Sequence, residues 1–174
     1  MLRLLLLSSM LLSACAHVPT VLQSITASNA TLSQVSQNID YYKGVPIRWG
    51  GTIIDVENEI DFTRLQILYY PLNKSAQPQT YQTSEGRFVV ITPTFLDPAV
   101  YKKNAEVSVT GLIKGVTSIA IGKKTLSVPV VDMQAIYLWP EENKNYSNYP
   151  PYFNYPYGRF NYPYYSPYYT PWWY

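Results

Sequence analysis

Cysteine and histidine are nearly missing from this chain of 174 residues, which holds one of each. They are Cys15 and His17, two positions apart near the start. No disulfide can form within such a chain, so the fold must rest on its core. Zinc sites draw on several His or Cys ligands, and that supply is too small here. A Ser-His-Asp triad would have to bring His17 in from the amino-terminal end. An enzyme would be left with carboxylates, lysine and tyrosine, and a deep pocket with two facing carboxylates is the feature that would mark one. Excess charge of one sign is also lacking, with thirteen basic and eleven acidic residues for a net charge of +2. Such a balance draws no nucleic acid. The apolar stretch Leu4–Leu12 has only nine residues, against about 20 for a bilayer-spanning helix.

That short stretch fits a secretion signal instead. Arg3 supplies the positive start, Leu4–Leu12 the apolar centre, and Ser13-Ala14 the small residues before a cut. Cys15 would be the first residue after it. Leu12-Ser13-Ala14-Cys15 is similar to a bacterial lipobox, which makes Cys15 the candidate lipidation site. The resemblance implies a diacylglycerol on the sulfur and an acyl chain, such as palmitate, on the new amino terminus. One fatty chain binds a membrane reversibly, with an association constant of about 10⁴ M⁻¹. Three chains, at roughly 0.8 kcal/mol per buried methylene, hold it permanently. An acylated Cys15 is no nucleophile. Ala16, not aspartate, follows it. In Gram-negative lipoproteins that pattern implies export to the outer membrane, with the body facing the periplasm.

Residues 15–40 are polar and read as a lipidated tether. Within them Leu32, Val35 and Ile39 suggest a short helix over Thr31–Asp40, with Thr31 as its cap. From Tyr41 to Trp139 strand signals dominate. Val45, Ile47 and Trp49 alternate before Gly50-Gly51, a pair that suggests a bulge or sharp coil. Further strands are expected at Ile60–Tyr70, Arg87–Ile91 and Glu106–Ile113. A hairpin is expected at Ser118–Val128 around Gly122-Lys123-Lys124, and a last strand at Val130–Trp139. Asp97-Pro98 marks a turn, and Pro129 belongs at a strand start or an edge. About one hundred residues of short, evenly spaced strands predict an all-β fold. Glycines at strand corners favour a small OB-like barrel of about five to seven strands over a sandwich.

The residues Gly44-Val45-Pro46-Ile47-Arg48-Trp49-Gly50-Gly51-Thr52-Ile53 resemble the Slp family of outer-membrane lipoproteins. So do Tyr70-Pro71-Leu72, Gln77-Pro78, Ser84–Phe88, Phe95–Tyr101, Val107–Gly115, Pro129-Val130-Val131 and Leu138-Trp139. Thr94 departs from the pattern, standing where a glycine is expected. The resemblance runs from Cys15 to Trp139. It implies a signal peptide over 1–14, a barrel domain over 41–140, and a role in cell-envelope maintenance or stress adaptation. It brings no cofactor and no catalytic residue.

Two clusters in the body invite a chemical reading. Asp55, Glu57, Glu59 and Asp61 alternate onto one side of an extended segment. Such a row is a solvated strand end and turn, or a weak site for a divalent cation, which prefers oxygen ligands. Arg48-Trp49 is a surface platform for a ligand, or a core tryptophan beside an outward arginine.

The remaining residues, 141–174, form a low-complexity tail. Asn145–Tyr174 contains eleven Tyr, six Pro, two Trp and two Phe, with Arg159 its only charge. Polyproline II or disorder is expected. Tyr146, Tyr149, Tyr152 and Tyr155 recur every third residue, as do Tyr162, Tyr165 and Tyr168. Polyproline II has three residues per turn, so each run would make one aromatic stripe. Trp172 and Trp173 follow near the end. Four readings stand: stacking on peptidoglycan or lipopolysaccharide, lying at the membrane interface, filling a groove on an envelope protein, or no partner. The alternative to a structural module is thus a glycan- or small-ligand-binding one, using the barrel face and this tail.

Overall fold

Strand alternation sorts the side chains to two sides, and the inward set closes on itself. The computed structural model describes residues 17–141. Five strands carry the body: β1 (Pro46–Asn58), β2 (Thr63–Tyr70), β3 (Gly86–Thr92), β4 (Glu106–Ile121) and β5 (Lys124–Leu138). They form a closed barrel in the order β1-β2-β3-β5-β4. Neighbours are antiparallel except β3 and β5, which run parallel from Val89↔Val130 to Ile91↔Asp132. This is the small OB-like barrel expected from the sequence, with the strand count at the low end of the expected five to seven. Inside, Trp49, Tyr69 and Phe88 meet edge to face, with ring centroids 5.3–6.3 Å apart.

Gly50 and Gly51 do not form the bulge that the sequence offered as one reading of the pair. The bulge in β1 lies further on, between Ile53 and Asp55. At the glycines β1 is paired on both sides, to Tyr70 and Tyr69 of β2 and to Ser108 and Val107 of β4. A Cβ on Gly51 would stand 1.8 Å from the Leu68 carbonyl oxygen. The pair therefore permits a close approach of backbones.

The segments expected as a fourth strand, a hairpin and a last strand are two continuous strands, β4 and β5. They stay paired from Val107↔Leu138 to Ile121↔Lys124. Register shifts leave Gln134 and Lys114 unpaired, which lets a long ribbon coil around the barrel and then leave it. Its turn is Gly122-Lys123, with Gly122 at φ 59°, as a two-residue hairpin with glycine in first place requires. Pro129 sits one residue before the ladder to β3 begins, where β5 has a neighbour on one side only. Beyond the barrel the ribbon packs Ile119, Val128 and Val130 on the outward Val89 of β3, a second apolar cluster.

The polar tether expected over residues 15–40 is corrected for its described part. A 3-10 turn (Thr20–Gln23), α1 (Leu32–Gln37) and α2 (Ile39–Tyr42) pack onto the barrel. Leu22, Leu32 and Val35 are buried, the last two in the same cluster as Trp49 and Phe88. Thr31 caps α1 in a reciprocal box with Gln34. The helix expected over Thr31–Asp40 is broken at Asn38, whose φ of −145° and ψ of 67° are not helical. Burying each such side chain gains roughly 1.5–3 kcal/mol, enough to offset ordering a few polar neighbours. The segment is a brace rather than a spacer.

Candidate functional site

The four alternating carboxylates do not assemble a site. Glu57 lies opposite Arg64 on β2 and forms an ion pair with it. Asp55 is exposed beside the bulge, and Glu59 and Asp61 lie in the β1–β2 turn. Among the described residues no three His, Cys, Asp or Glu side chains come together as a metal site would need. Trp49 is core, at 1% exposure. Arg48 points outward, as alternation requires, but is covered. Its Nε and Nη2 donate to the Leu22 carbonyl oxygen at 3.1 and 2.7 Å. Cys15 and the whole aromatic series from Tyr146 to Trp173 lie outside the described residues.

Two surface features remain. The first is an apolar groove on the outer wall, beside the ribbon where it leaves the barrel. Two hollows of about 320 and 400 Å³ share Phe62, Ile91 and Lys114. Val116 and Val130 continue the first, and Asp132 edges the second. Phe62 and Val116 are 43% and 55% exposed. Lys114 is the residue that the β4 bulge leaves unpaired, and it has no carboxylate within ion-pair distance among the described residues. Arg64, also in the lining, is engaged by Glu57. The sequence reading missed this groove. Its one local signal was Lys114-Gly115, since a glycine inside a strand pattern marks a bulge. The groove itself needs β2, β3 and β4 brought together.

The second feature is a cavity of about 290 Å³ in the seam between the brace and the β2–β3 loop. Ser28, Asn29 and Ala30 line one side, Asn73, Lys74 and Ala76 the other, with Arg48, Trp49 and Tyr69 between. The brace is fixed there by Trp49 Nε1, which donates to the Ala30 carbonyl oxygen at 2.8 Å, and by the Ser28 amide on the Pro46 carbonyl. The loop is fixed by Ser108 Oγ, which donates to the Ala76 carbonyl oxygen, and by Glu106, which accepts from Gln77 and Thr80. Ala76 is held at φ 66°, a left-handed conformation that costs alanine about 1–2 kcal/mol. Burial pushes the Tyr69 hydroxyl up to about 12, the Glu85 charge adds to this, and a hydrogen bond to the Leu32 backbone works against it. Neither the seam cavity nor the groove brings two carboxylates face to face.

A closed OB-like barrel, braced by the segment that follows a lipobox cysteine, defines the class: a small β-barrel lipoprotein. The chain belongs to the outer membrane lipoprotein Slp family, whose description matches residues 12–173. It is thus an outer-membrane lipoprotein. It is 33% identical to Outer membrane protein Slp of Escherichia coli K12 over 141 residues, which cover 78% of this chain and 73% of that one. It is 30% identical to the uncharacterized lipoprotein YeaY of the same organism over 132 residues, covering 75% and 68%. Among solved structures, the mitochondrial single-stranded DNA binding protein Rim1 of S. cerevisiae is similar at a TM-score of 0.34 and 13% identity, over 55% of this chain and 94% of that one. A likeness that slight carries no functional argument.

Proposed function

We propose that this lipoprotein is a non-enzymatic interaction module on the periplasmic face of the outer membrane, serving cell-envelope maintenance or stress adaptation. The observation that carries the reading is the groove at Phe62, Ile91 and Val116. Apolar side chains gathered in a groove offer a partner a surface to bury. Its occupant is a segment of an envelope protein that presents apolar side chains next to an acidic one. Lys114, unpaired at the groove, supplies the complementary charge. A photo-crosslinking residue at Val116 of the full lipidated chain tests this. The expected product is one adduct to an envelope protein whose crosslinked peptide joins apolar and acidic residues, lost in Lys114→Glu. No adduct, an adduct to lipid alone, or an adduct indifferent to Lys114→Glu refutes it.

The aromatic tail is the second contact in this reading, its tyrosine stripes stacking on peptidoglycan or lipopolysaccharide. Deleting residues 145–174 is expected to leave the barrel folded and to reduce retention on both materials. Unchanged retention on purified peptidoglycan and on lipopolysaccharide-containing vesicles counts against that role.

A further inference from the structure

We propose that the seam cavity is a binding site for an oxyanion-bearing monosaccharide unit, either free as a sugar phosphate or as part of an envelope glycan. The site goes beyond the docking groove and shares no lining residue with it, so the two ideas fail separately.

Charge is the first argument. Arg48 and Lys74 line the cavity and no carboxylate does. Neither cation has an ion-pair partner among the described residues. Tyr69, the remaining titratable group in the lining, stays neutral through the physiological range.

Hydrogen-bond polarity is the second argument, and it is more specific. Asn73 Oδ1 already accepts the amides of Ser75 and Gln77, at 2.8 and 3.0 Å. That fixes the orientation of its amide and leaves Nδ2 as a free donor. Ser28 Oγ accepts the Ala30 amide at 3.2 Å, so its own proton is left to donate. The Leu22 carbonyl holds Arg48 through Nε and Nη2, so the guanidinium is positioned in advance and Nη1 remains unused. Ser28 and Asn73 are thus each left with a donor, and Arg48 keeps Nη1, while the Trp49 indole N–H is spent on the Ala30 carbonyl. A concave set of donors with two cations matches an oxyanion, where charge-assisted bonds are strongest. Half-buried Leu72 adds apolar surface to the lining, and the nearly buried Trp49 and Tyr69 stand behind it. A sugar ring offers both matching surfaces, and about 290 Å³ holds a single unit, not a chain.

The test uses the full-length chain in lipid-free form, followed by NMR at the Trp49 indole N–H and the Asn73 side-chain amide. Glucose 6-phosphate at about 10 mM, well above a millimolar Kd, is expected to shift both signals. Glucose and inorganic phosphate at the same concentration are expected to shift them far less. Lys74→Glu changes an exposed residue and is expected to weaken binding about tenfold or more. Asn73→Asp keeps the acceptor that the loop needs but replaces the free donor with a charge, and is expected to abolish binding. Lipopolysaccharide micelles form the second arm. Competition by them makes the ligand a lipid-linked sugar, and its absence makes it a free one. No shift with glucose 6-phosphate or with lipopolysaccharide overturns the proposal. So does an equal response to glucose or inorganic phosphate, or full binding by a folded Asn73→Asp variant.

Discussion

Leu22→Ala separates a brace from a tether. Leu22 has no exposed surface, although it lies in a segment that reads as a polar spacer. Its carbonyl accepts two bonds from Arg48 on β1, so side chain and backbone are both committed to the barrel. Truncating a buried leucine to alanine costs about 2–5 kcal/mol, the transfer of the lost carbons plus the cavity left behind. At an exposed position in a flexible segment the same change stays within about 0.5 kcal/mol. Urea unfolding of the full-length chain in lipid-free form reads the difference. With a slope of about 1–3 kcal/mol per molar, the midpoint is expected to fall by about 1–2 M at constant slope. Val21→Ala, next door and 44% exposed, is the matched control and is expected to leave the midpoint in place. A third outcome is informative. If the segment opens alone, the midpoint holds, while the Ser28 amide, bonded to the Pro46 carbonyl at 2.8 Å, exchanges faster in Leu22→Ala. Either that result or a shift below about 0.3 M would refute the claim that brace and barrel fold as one unit.

Two further predictions concern the barrel. Gly51→Ala drives a Cβ to 1.8 Å from the Leu68 carbonyl oxygen, backbone against backbone, and is expected to cost more than about 3 kcal/mol. Gly122→Ala has open space and meets only the left-handed penalty of about 1–2 kcal/mol. Thermal unfolding that ranks the two the other way would contradict the close-approach account. Tyr69 supplies a pH test. Its hydroxyl moves from 10.0 to about 12 in the fold, so the native state favours the protonated form. That contribution is fully present below pH 10 and is lost as pH rises towards 12. It amounts to about 2–3 kcal/mol for a two-unit shift. Stability measured across that window is expected to fall more steeply in the native sequence than in Tyr69→Phe, and parallel slopes would count against it.

What the sequence by itself determined was whatever local spacing can carry. The lipobox, the alternation of β1 to β3, the Thr31 cap and the turn at Asp97-Pro98 are encoded within a few residues of where they act. The Asp97 backbone and side chain accept the amides of Ala99, Val100 and Tyr101 at that turn. Trp49 was legible as core for the same reason, an apolar residue in phase with Ile47 and Ile53.

What only the tertiary structure decided depends on residues far apart in the chain. The unity of β4 and β5 could not be read locally, because Gly115, Gly122 and Pro129 look like interruptions until both strands are paired. The brace looked like a spacer because its polar residues outnumber the buried ones. Leu22, Leu32 and Val35 gain their stability from a barrel more than ten residues later. The alternating carboxylates offered two readings, a solvated strand end or a weak cation site, and only the pairing of β1 with β2 showed Glu57 on Arg64 and the others exposed. The donor set of the seam belongs to the same class. Ser28, Arg48 and Asn73 are ordinary residues singly. Folding uses up acceptors of Ser28 and Asn73, holds Arg48 by two of its donors, and places all three residues around one cavity. A hydrogen bond made elsewhere fixes what each residue has left to offer, and no local spacing records it.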